Sequence, residues 1–227
     1  MSADPTADLA PEQRTRLEKV LELLAVERAS VSSVVDPPDA WRVHIADSLT
    51  GLEVADLASA RRIADVGSGA GFPGIPLAVA LPGAHVDLIE SVGRKCDFMR
   101  RAIAASDTEN ARVLAARSEE VAGGDGREAY DVVTARAVGR LSTLAELASP
   151  LLREGGALVA WKGRRDPDEE TELRRAEDLL AMEAGEILEV GPLAGSRHRH
   201  LHVVRKAGPT PQRLPRRAGM AKKRPLP

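Results

Sequence analysis

The chain has 227 residues, 43% hydrophobic and 29% charged, enough for one good-sized α/β domain with appendages. Aromatics make up only 2%, so the core must come from Leu, Val, Ile and Ala; the one cysteine, Cys96, excludes an internal disulfide and a cysteine-rich metal site. The net charge of −2 hides a split, because ten Lys/Arg and no acid lie from Gly191 to the end, leaving 22 basic against 34 acidic residues before it. A basic tail on an acidic body points to an anionic partner, or more plainly to a solvated extension. No apolar run approaches the about 18 residues of a membrane span, and the polar, acidic N-terminus has no signal-like apolar region. A cytoplasmic protein, with no membrane attachment and no metal, is expected.

Residues 1–10 read as unstructured. From Pro11 to Ala29, Leu17, Val20, Leu21 and Leu24 recur at helical spacing. Asp36-Pro37-Pro38-Asp39 then breaks the chain and starts a second helix, with Trp41, Ile45 and Leu49 on one face. His44 and Asp47 lie about one turn apart on it, either as a surface pair or as a wall of an active site. Residues 1–60 thus read as a helical cap.

From Arg62 onward apolar runs alternate with helical patterns. The runs predict strands at Ile63–Val66, Val86–Glu90, Ala111–Ala115, Asp131–Ala135 and Ala157–Trp161, with helices near Pro73–Leu81, Arg94–Ala105, Glu119–Ala122 and Leu141–Leu152 between them. A charged helix over Asp166–Met182 and strands at Ile187–Val190 and Leu201–Arg205 complete the pattern. Such alternation predicts an α/β fold: a doubly wound, mostly parallel seven-stranded sheet over 61–207, its last strand antiparallel. The Pro- and Lys/Arg-rich segment 208–227 reads as extended rather than packed.

The most informative stretch is Asp65-Val66-Gly67-Ser68-Gly69-Ala70-Gly71-Phe72-Pro73-Gly74-Ile75-Pro76. It reads as a strand end, a tight glycine turn and a helix start, where backbone N–H groups favour an anionic ligand group. Ligands of such sheets bind beyond the carboxyl ends of the strands. There the sequence places Glu90, roughly 20 residues past the turn and able to accept from ribose hydroxyls. Arg117-Ser118-Glu119-Glu120, Thr134-Ala135-Arg136-Ala137 and Trp161-Lys162-Gly163 stand at the other ends. Each has a plainer alternative: a solvated strand end for Glu90, a surface charge for Arg136, a helix-capping cation for Lys162.

Gly69-Ala70-Gly71-Phe72-Pro73-Gly74 also fits the dinucleotide pattern G-x-G-x-x-G. A nicotinamide enzyme is disfavoured because no second half-fold follows, and because Asp65, two residues before Gly67, suits a ligand with a cationic amino group. A Walker-type site is excluded, since no glycine precedes Lys-Ser or Lys-Thr.

The block Asp65–Gly71 resembles the first motif of class I S-adenosylmethionine-dependent methyltransferases. More narrowly, the chain is similar to the bacterial 16S rRNA (guanine-N7) methyltransferase G family (RsmG, glucose-inhibited division protein B). The residues that carry the likeness are His44–Leu49, Asp65–Pro76, Glu90–Lys95, Asp131–Ala137, Lys162-Gly163, Arg199–Leu201 and the tail Pro215–Leu226. One departure lies at Val26–Val31, where the family usually carries a Trp-Asn…Leu-Thr segment.

The resemblance implies methylation of one guanine N7 in 16S rRNA, naked or within the small ribosomal subunit; a monomer is expected. It implies S-adenosyl-L-methionine contacts from Gly67, Phe72, Ser118, Glu119 and Arg136, with Glu90 at the ribose and Asp65, Gly69 and Gly71 completing the motif. N7 carries a free lone pair, so no acid/base residue is needed, and Arg136 and Lys162 stand as positioning candidates. Phosphate contacts are expected from Arg197, Arg199, Arg216, Arg217, Lys222, Lys223 and Arg224, with His198, His200 and His202 as weaker donors. Phe72, Trp161 and Arg136 are the available stacking platforms for the base. A small-molecule methyltransferase would leave the acid-free tail unexplained. A non-enzymatic rRNA-binding factor with the same fold would lack cofactor affinity.

Overall fold

The computed structural model describes residues 4–27, 31–191 and 198–226. Helix α1 (Pro11–Ala25) buries Leu17, Val20, Leu21 and Leu24, the face predicted from their spacing. It stops at Ala25, where the apolar spacing runs out and Val26 is left exposed. Past the Pro-Pro break, α2 (Pro37–Ala40) runs on through a π-helical turn (Trp41–Ala46), α3 (Asp47–Leu49) and a 3₁₀ turn (Thr50–Glu53). Helix α4 (Ala55–Ala58) then leads into the sheet.

The strands are β1 (Arg62–Val66), β2 (His85–Ile89), β3 (Ala111–Leu114), β4 (Tyr130–Arg136), β5 (Leu152–Lys162), β6 (Met182–Glu189) and β7 (His200–Lys206). Their order across the sheet is β3-β2-β1-β4-β5-β7-β6. The first five are parallel, and β7 runs antiparallel to both its neighbours. Helices α5 (Gly74–Ala80), α6 (Gly93–Ala105), α7 (Ser118–Ala122), α8 (Leu141–Ala148) and α9 (Pro167–Leu180) make the crossovers. The seven-stranded, doubly wound sheet is therefore as expected. Differences sit at element ends. Helix α8 stops at Ala148 because Ser149-Pro150 cannot continue it, and β5 begins five residues early through the exposed Arg153-Glu154-Gly155.

Each face of the sheet carries its own apolar layer. On one face Ile63, Val86 and Val159 pack with Phe98 of α6 and Ile75 of α5, and this layer continues into Leu17, Leu24, Ile45 and Leu49 of the N-terminal helices. On the other, Ala64, Val133 and Leu158 meet Leu144 of α8 and Leu173 of α9. The N-terminal helices thus share their core with the sheet.

Within segment 208–227, residues 208–226 do not form the extended, unpacked tail that the composition predicts. Leu214 and Ala221 are buried, α10 forms at Met220–Lys223, and Arg216 makes two 2.6 Å bonds to Glu146 on α8. Average composition hides this, because two apolar residues and one guanidinium at the right spacing suffice to dock an otherwise polar segment.

Register positions the site. Val66, Ile89 and Ala135 stand opposite one another, so the ends of β1, β2 and β4 are level. The chain leaves β1 toward β2 and leaves β4 toward β5. The crevice above β1 and β4 is the topological switch point at which ligands of open α/β sheets bind.

Candidate functional site

The turn after β1 is anchored by its own backbone. Gly67 and Ser68 donate N–H bonds to the Ile89 carbonyl at 2.8 and 3.2 Å, and Gly71 and Phe72 close back on the Ser68 carbonyl. Gly67 is held at φ +69°, and a Cβ there would come 2.8 Å from Val138 Cγ2 in the loop after β4. Any side chain at this position would be both strained and blocked. Gly69 and Gly71 also have positive φ, but a Cβ on Gly71 would meet Ile75 of α5, so this glycine faces the core.

Asp65 is a correction to the sequence expectation. Its carboxylate is 0% exposed, accepting from Thr134 Oγ1 at 2.9 Å and Gly74 N at 3.1 Å. It does not present itself to a ligand's amino group. It bolts β1 to β4 and to the start of α5, and burial pushes its pKa up to about 6. The partner Thr134 was missed in the sequence, although Asp65 and Thr134 stand opposite in the β1–β4 register.

Glu90 occupies the place expected of it. Oε2 accepts from Gly69 N at 3.2 Å, and Oε1 accepts from Ser91 N and Val92 N at 2.8 and 2.9 Å. Backbone amides therefore aim this carboxylate and hold it beside the glycine turn. At the start of α7, Ser118 Oγ donates to Glu119 Oε2 at 3.2 Å.

These groups line one cavity of about 380 Å³. Its floor is Val66, Gly67 and Ile89; Glu90, Ser91 and Arg117–Glu119 form one wall, and Val138 with Thr143 and Leu147 of α8 the other. Gly219, Ala221, Lys222 and Lys223 close it from the C-terminal segment. Such a volume lies in the range of about 300–1,000 Å³ usual for small-molecule sites. Of the predicted contacts, Gly67, Glu90, Ser118 and Glu119 meet here; the wall from the C-terminal segment leaves no mark legible in the sequence.

Phe72 and Arg136 belong to a neighbouring cluster instead. The Phe72 ring stacks on His44, with centroids 4.5 Å apart and planes inclined by 6°. The Arg136 guanidinium lies 5.8 Å from the Phe72 centroid. It donates to Asp47 Oδ2 and the Val43 carbonyl, both at 2.9 Å, and sits 3.4 Å from His44 Nδ1. An outside donor on the Val43 carbonyl coincides with the π-helical turn, as helix irregularities of this kind do where a side chain enters the ladder.

The surface-pair alternative for His44 and Asp47 fails, since both are buried. His44 Nε2 donates to the Val34 carbonyl at 2.9 Å, and burial depresses its pKa, leaving a neutral ring whose Nδ1 can face the guanidinium. Asp47 is 2% exposed; its Oδ1 has no aligned hydrogen bond but lies 3.3 Å from Arg199 Nε.

Several other candidates are redirected. Lys162 Nζ donates to Glu169 Oε1 at 2.8 Å and to the Gly139 carbonyl at 3.1 Å, tying the loop after β4 to α9 rather than facing a ligand. Trp161 is buried, with Nε1 donating to the Asp47 carbonyl at 2.8 Å, and offers no open stacking face. His200 is buried and donates from Nδ1 to the Gly163 carbonyl at 2.8 Å. Burial also lowers the His202 pKa to about 4, so near pH 7 it is a buried, neutral ring that offers no charge to a phosphate. Arg216 is committed to Glu146. Arg217, Lys222, Lys223 and Arg224 are exposed, and among the described residues none makes an ion pair. Arg197 lies outside the described residues.

Known proteins place the arrangement. The family model described as rRNA small subunit methyltransferase G matches residues 13–201. A curated relative from Roseiflexus castenholzii, named Ribosomal RNA small subunit methyltransferase G, is 42% identical over 204 residues, covering 88% of this chain and 85% of its own. A protein of the same name from Rubrobacter xylanophilus is 43% identical over 225 residues, covering 95% and 84%. Among solved structures, an O-methyltransferase from Bacillus cereus in complex with SAH superposes with a TM-score of 0.57 at 21% identity, over 88% of this chain and 95% of that one. The fibrillarin pre-rRNA processing protein of Methanococcus jannaschii reaches 0.56 at 19% identity, over 72% and 74%. These two likenesses concern the fold. At the sequence level the matches run through both the glycine turn and the strand ends, and the chain belongs to the rRNA small subunit methyltransferase G family.

Proposed function

We propose that this protein transfers the methyl group of S-adenosylmethionine to N7 of a guanine in 16S rRNA, with no general base. The observation that carries the assignment is the cavity at the switch point, where a glycine that tolerates no Cβ faces a carboxylate aimed by three backbone amides. The donor set suits an adenosine with an amino-acid tail. Gly67 leaves room for close backbone approach, Glu90 has lone pairs free for ribose hydroxyls, and Ser118 and Glu119 stand where a base edge would lie. The bound cofactor supplies a methyl group made electrophilic by its sulfonium.

The chain's own work is then positioning. Guanine N7 attacks with a lone pair that is already free, so holding it in line with the methyl is the main contribution, a term that can reach about 7–11 kcal/mol. The purine gains positive charge as the methyl arrives. A bare guanidinium beside it would oppose this; Asp47 offsets part of that charge, but Arg136 and Arg199 share its one carboxylate, so the cluster keeps a net positive charge suited to an anionic group. Arg136 is thus an orienting group for the cofactor carboxylate or an RNA phosphate, and no residue here is an acid or base catalyst. Exposed Arg217, Lys222, Lys223 and Arg224 supply phosphate contacts, the main source of RNA affinity.

Unmethylated small subunits and deproteinised 16S rRNA, each incubated with the protein and labelled cofactor, test the proposal. Borohydride–aniline cleavage is expected at one guanine. Methyl transfer without such cleavage would move the reaction to another atom, and no transfer to either RNA would remove the assignment.

A further inference from the structure

Resting on the assignment of the 380 Å³ cavity to the cofactor, we propose that the C-terminal segment 214–224 is a cofactor-binding element: a clasp that completes the cavity, in addition to carrying RNA-facing cations. Four observations converge on it. First, the Gly219 N–H donates to Glu119 Oε1 at 2.7 Å, while the other oxygen of that carboxylate takes the Ser118 hydroxyl. The segment therefore bonds directly to a residue that lines the cavity together with Glu90. Second, Lys222 and Lys223 border the cavity next to buried Ala221.

Third, the segment is fastened at both ends through one residue. Arg216 makes its paired bonds to Glu146, and its Nη2 also donates to the Arg224 carbonyl at 2.8 Å. The chain between 216 and 224 is thereby closed into a loop over the cavity. Glu146 is buried on α8 between Thr143 and Leu147, the two residues by which that helix lines the same space. Fourth, Gly219 sits at φ +81°, a conformation that brings its N–H onto Glu119 and that other residues rarely adopt. A solvated tail needs none of this. A buried two-toothed ion pair, a left-handed glycine and a backbone donor spent on a cavity-lining carboxylate together make a built wall.

A ligand in the cavity that touches the segment must stabilise its docked state, and a segment that stays docked must in turn hold the ligand, since the coupling is reciprocal. The test is calorimetric titration of S-adenosylmethionine into the full chain without RNA, alongside Gly219→Pro, Arg216→Ala and the double variant Arg217→Gln/Arg224→Gln. Gly219→Pro deletes the N–H given to Glu119 and cannot keep φ +81°, yet leaves Arg216 on Glu146. The expected result is a cofactor Kd raised by about tenfold in Gly219→Pro and by at least as much in Arg216→Ala. The double variant, altered only on exposed cations that do not line the cavity, should keep cofactor Kd within about twofold while losing RNA affinity.

Hydrogen exchange gives a readout independent of any loss of fold: in the parent chain, cofactor should slow exchange of the 214–224 amides. Cofactor Kd unchanged in Gly219→Pro, or no added protection of these amides, would overturn the clasp. Failure of the parent chain itself to bind cofactor would instead overturn the assignment of the cavity.

Discussion

Two clusters flank the glycine turn, and they are built in opposite ways. On the β2–β3 side, among the described residues, the carboxylates of Glu90 and Glu119 bond only to backbone N–H groups and one hydroxyl, around open space. On the β4 side Phe72, His44, Arg136 and Asp47 fill their space, and the guanidinium has two close acceptors. An acid oriented by amides keeps lone pairs to offer a ligand. A cation seated on a buried acid spends its charge on position. The open side is therefore preformed, whereas the filled side is fastened by the N-terminal helices. A flat base stacking on Phe72 would have to take the place of His44.

The largest effect should come from unfastening the filled side. Asp47→Ala leaves Arg136 without its carboxylate in a mostly buried place, and breaking such pairs costs about 3–5 kcal/mol. Urea unfolding measures it, and a loss below about 1 kcal/mol would show that the cluster is not locked. On the open side, Gly67→Val should raise cofactor Kd by about 100-fold by displacing the turn, since both φ and Val138 oppose a side chain there, and circular dichroism of the variant separates this from loss of fold. Equal cofactor affinity in this variant would mean that the ligand does not approach the turn.

The bolt between the two sides gives a pH test. The Asp65 pKa is raised from 3.8 to about 6 in the folded chain, so the folded state holds that proton more tightly than the unfolded one. Its favourable contribution is full below about 3.8 and is lost as pH rises through about 6. The stability of the parent minus that of Asp65→Asn should fall by about 2 kcal/mol between these limits and stay level above them. A difference that does not vary with pH would show that Asp65 is not held as the structure shows. The smallest effect concerns the surface. Arg217→Gln and Arg224→Gln should each reduce the slope of log K for RNA against log salt by about 0.7, while His200→Gln should leave it unchanged.

The legible and illegible parts of the molecule divide along the same line. Strands β1, β2 and β4 were readable because apolar runs of Val, Ile and Ala report burial directly, and Glu90 followed from its spacing to the turn. The glycine register was readable because positive φ leaves a residue-type mark at Gly67, Gly69 and Gly71. Asp65 was placed correctly in the chain yet wrongly in space. Nothing local tells a carboxylate at a strand end whether Thr134 and the Gly74 amide will cover it or a ligand will reach it. Charge alone points Lys162, His200 and Arg216 toward a ligand, yet each is consumed by a partner distant in sequence or fixed by the sheet: the Gly139 carbonyl with Glu169, the Gly163 carbonyl, and Glu146.

By itself, the sequence determined the architecture and the address of the site. Hydrophobic periodicity and glycine positions are local signals, and a parallel α/β sheet with its ligand edge at the switch point follows from them. Tertiary structure decided which polar groups remain available there. Partner choice depends on contacts between residues tens of positions apart, such as His44 on Phe72, Asp47 beneath Arg136 and the 214–224 segment against Glu119 and Glu146. Only packing brings those together, and it turned a predicted loose basic tail into one wall of the cavity.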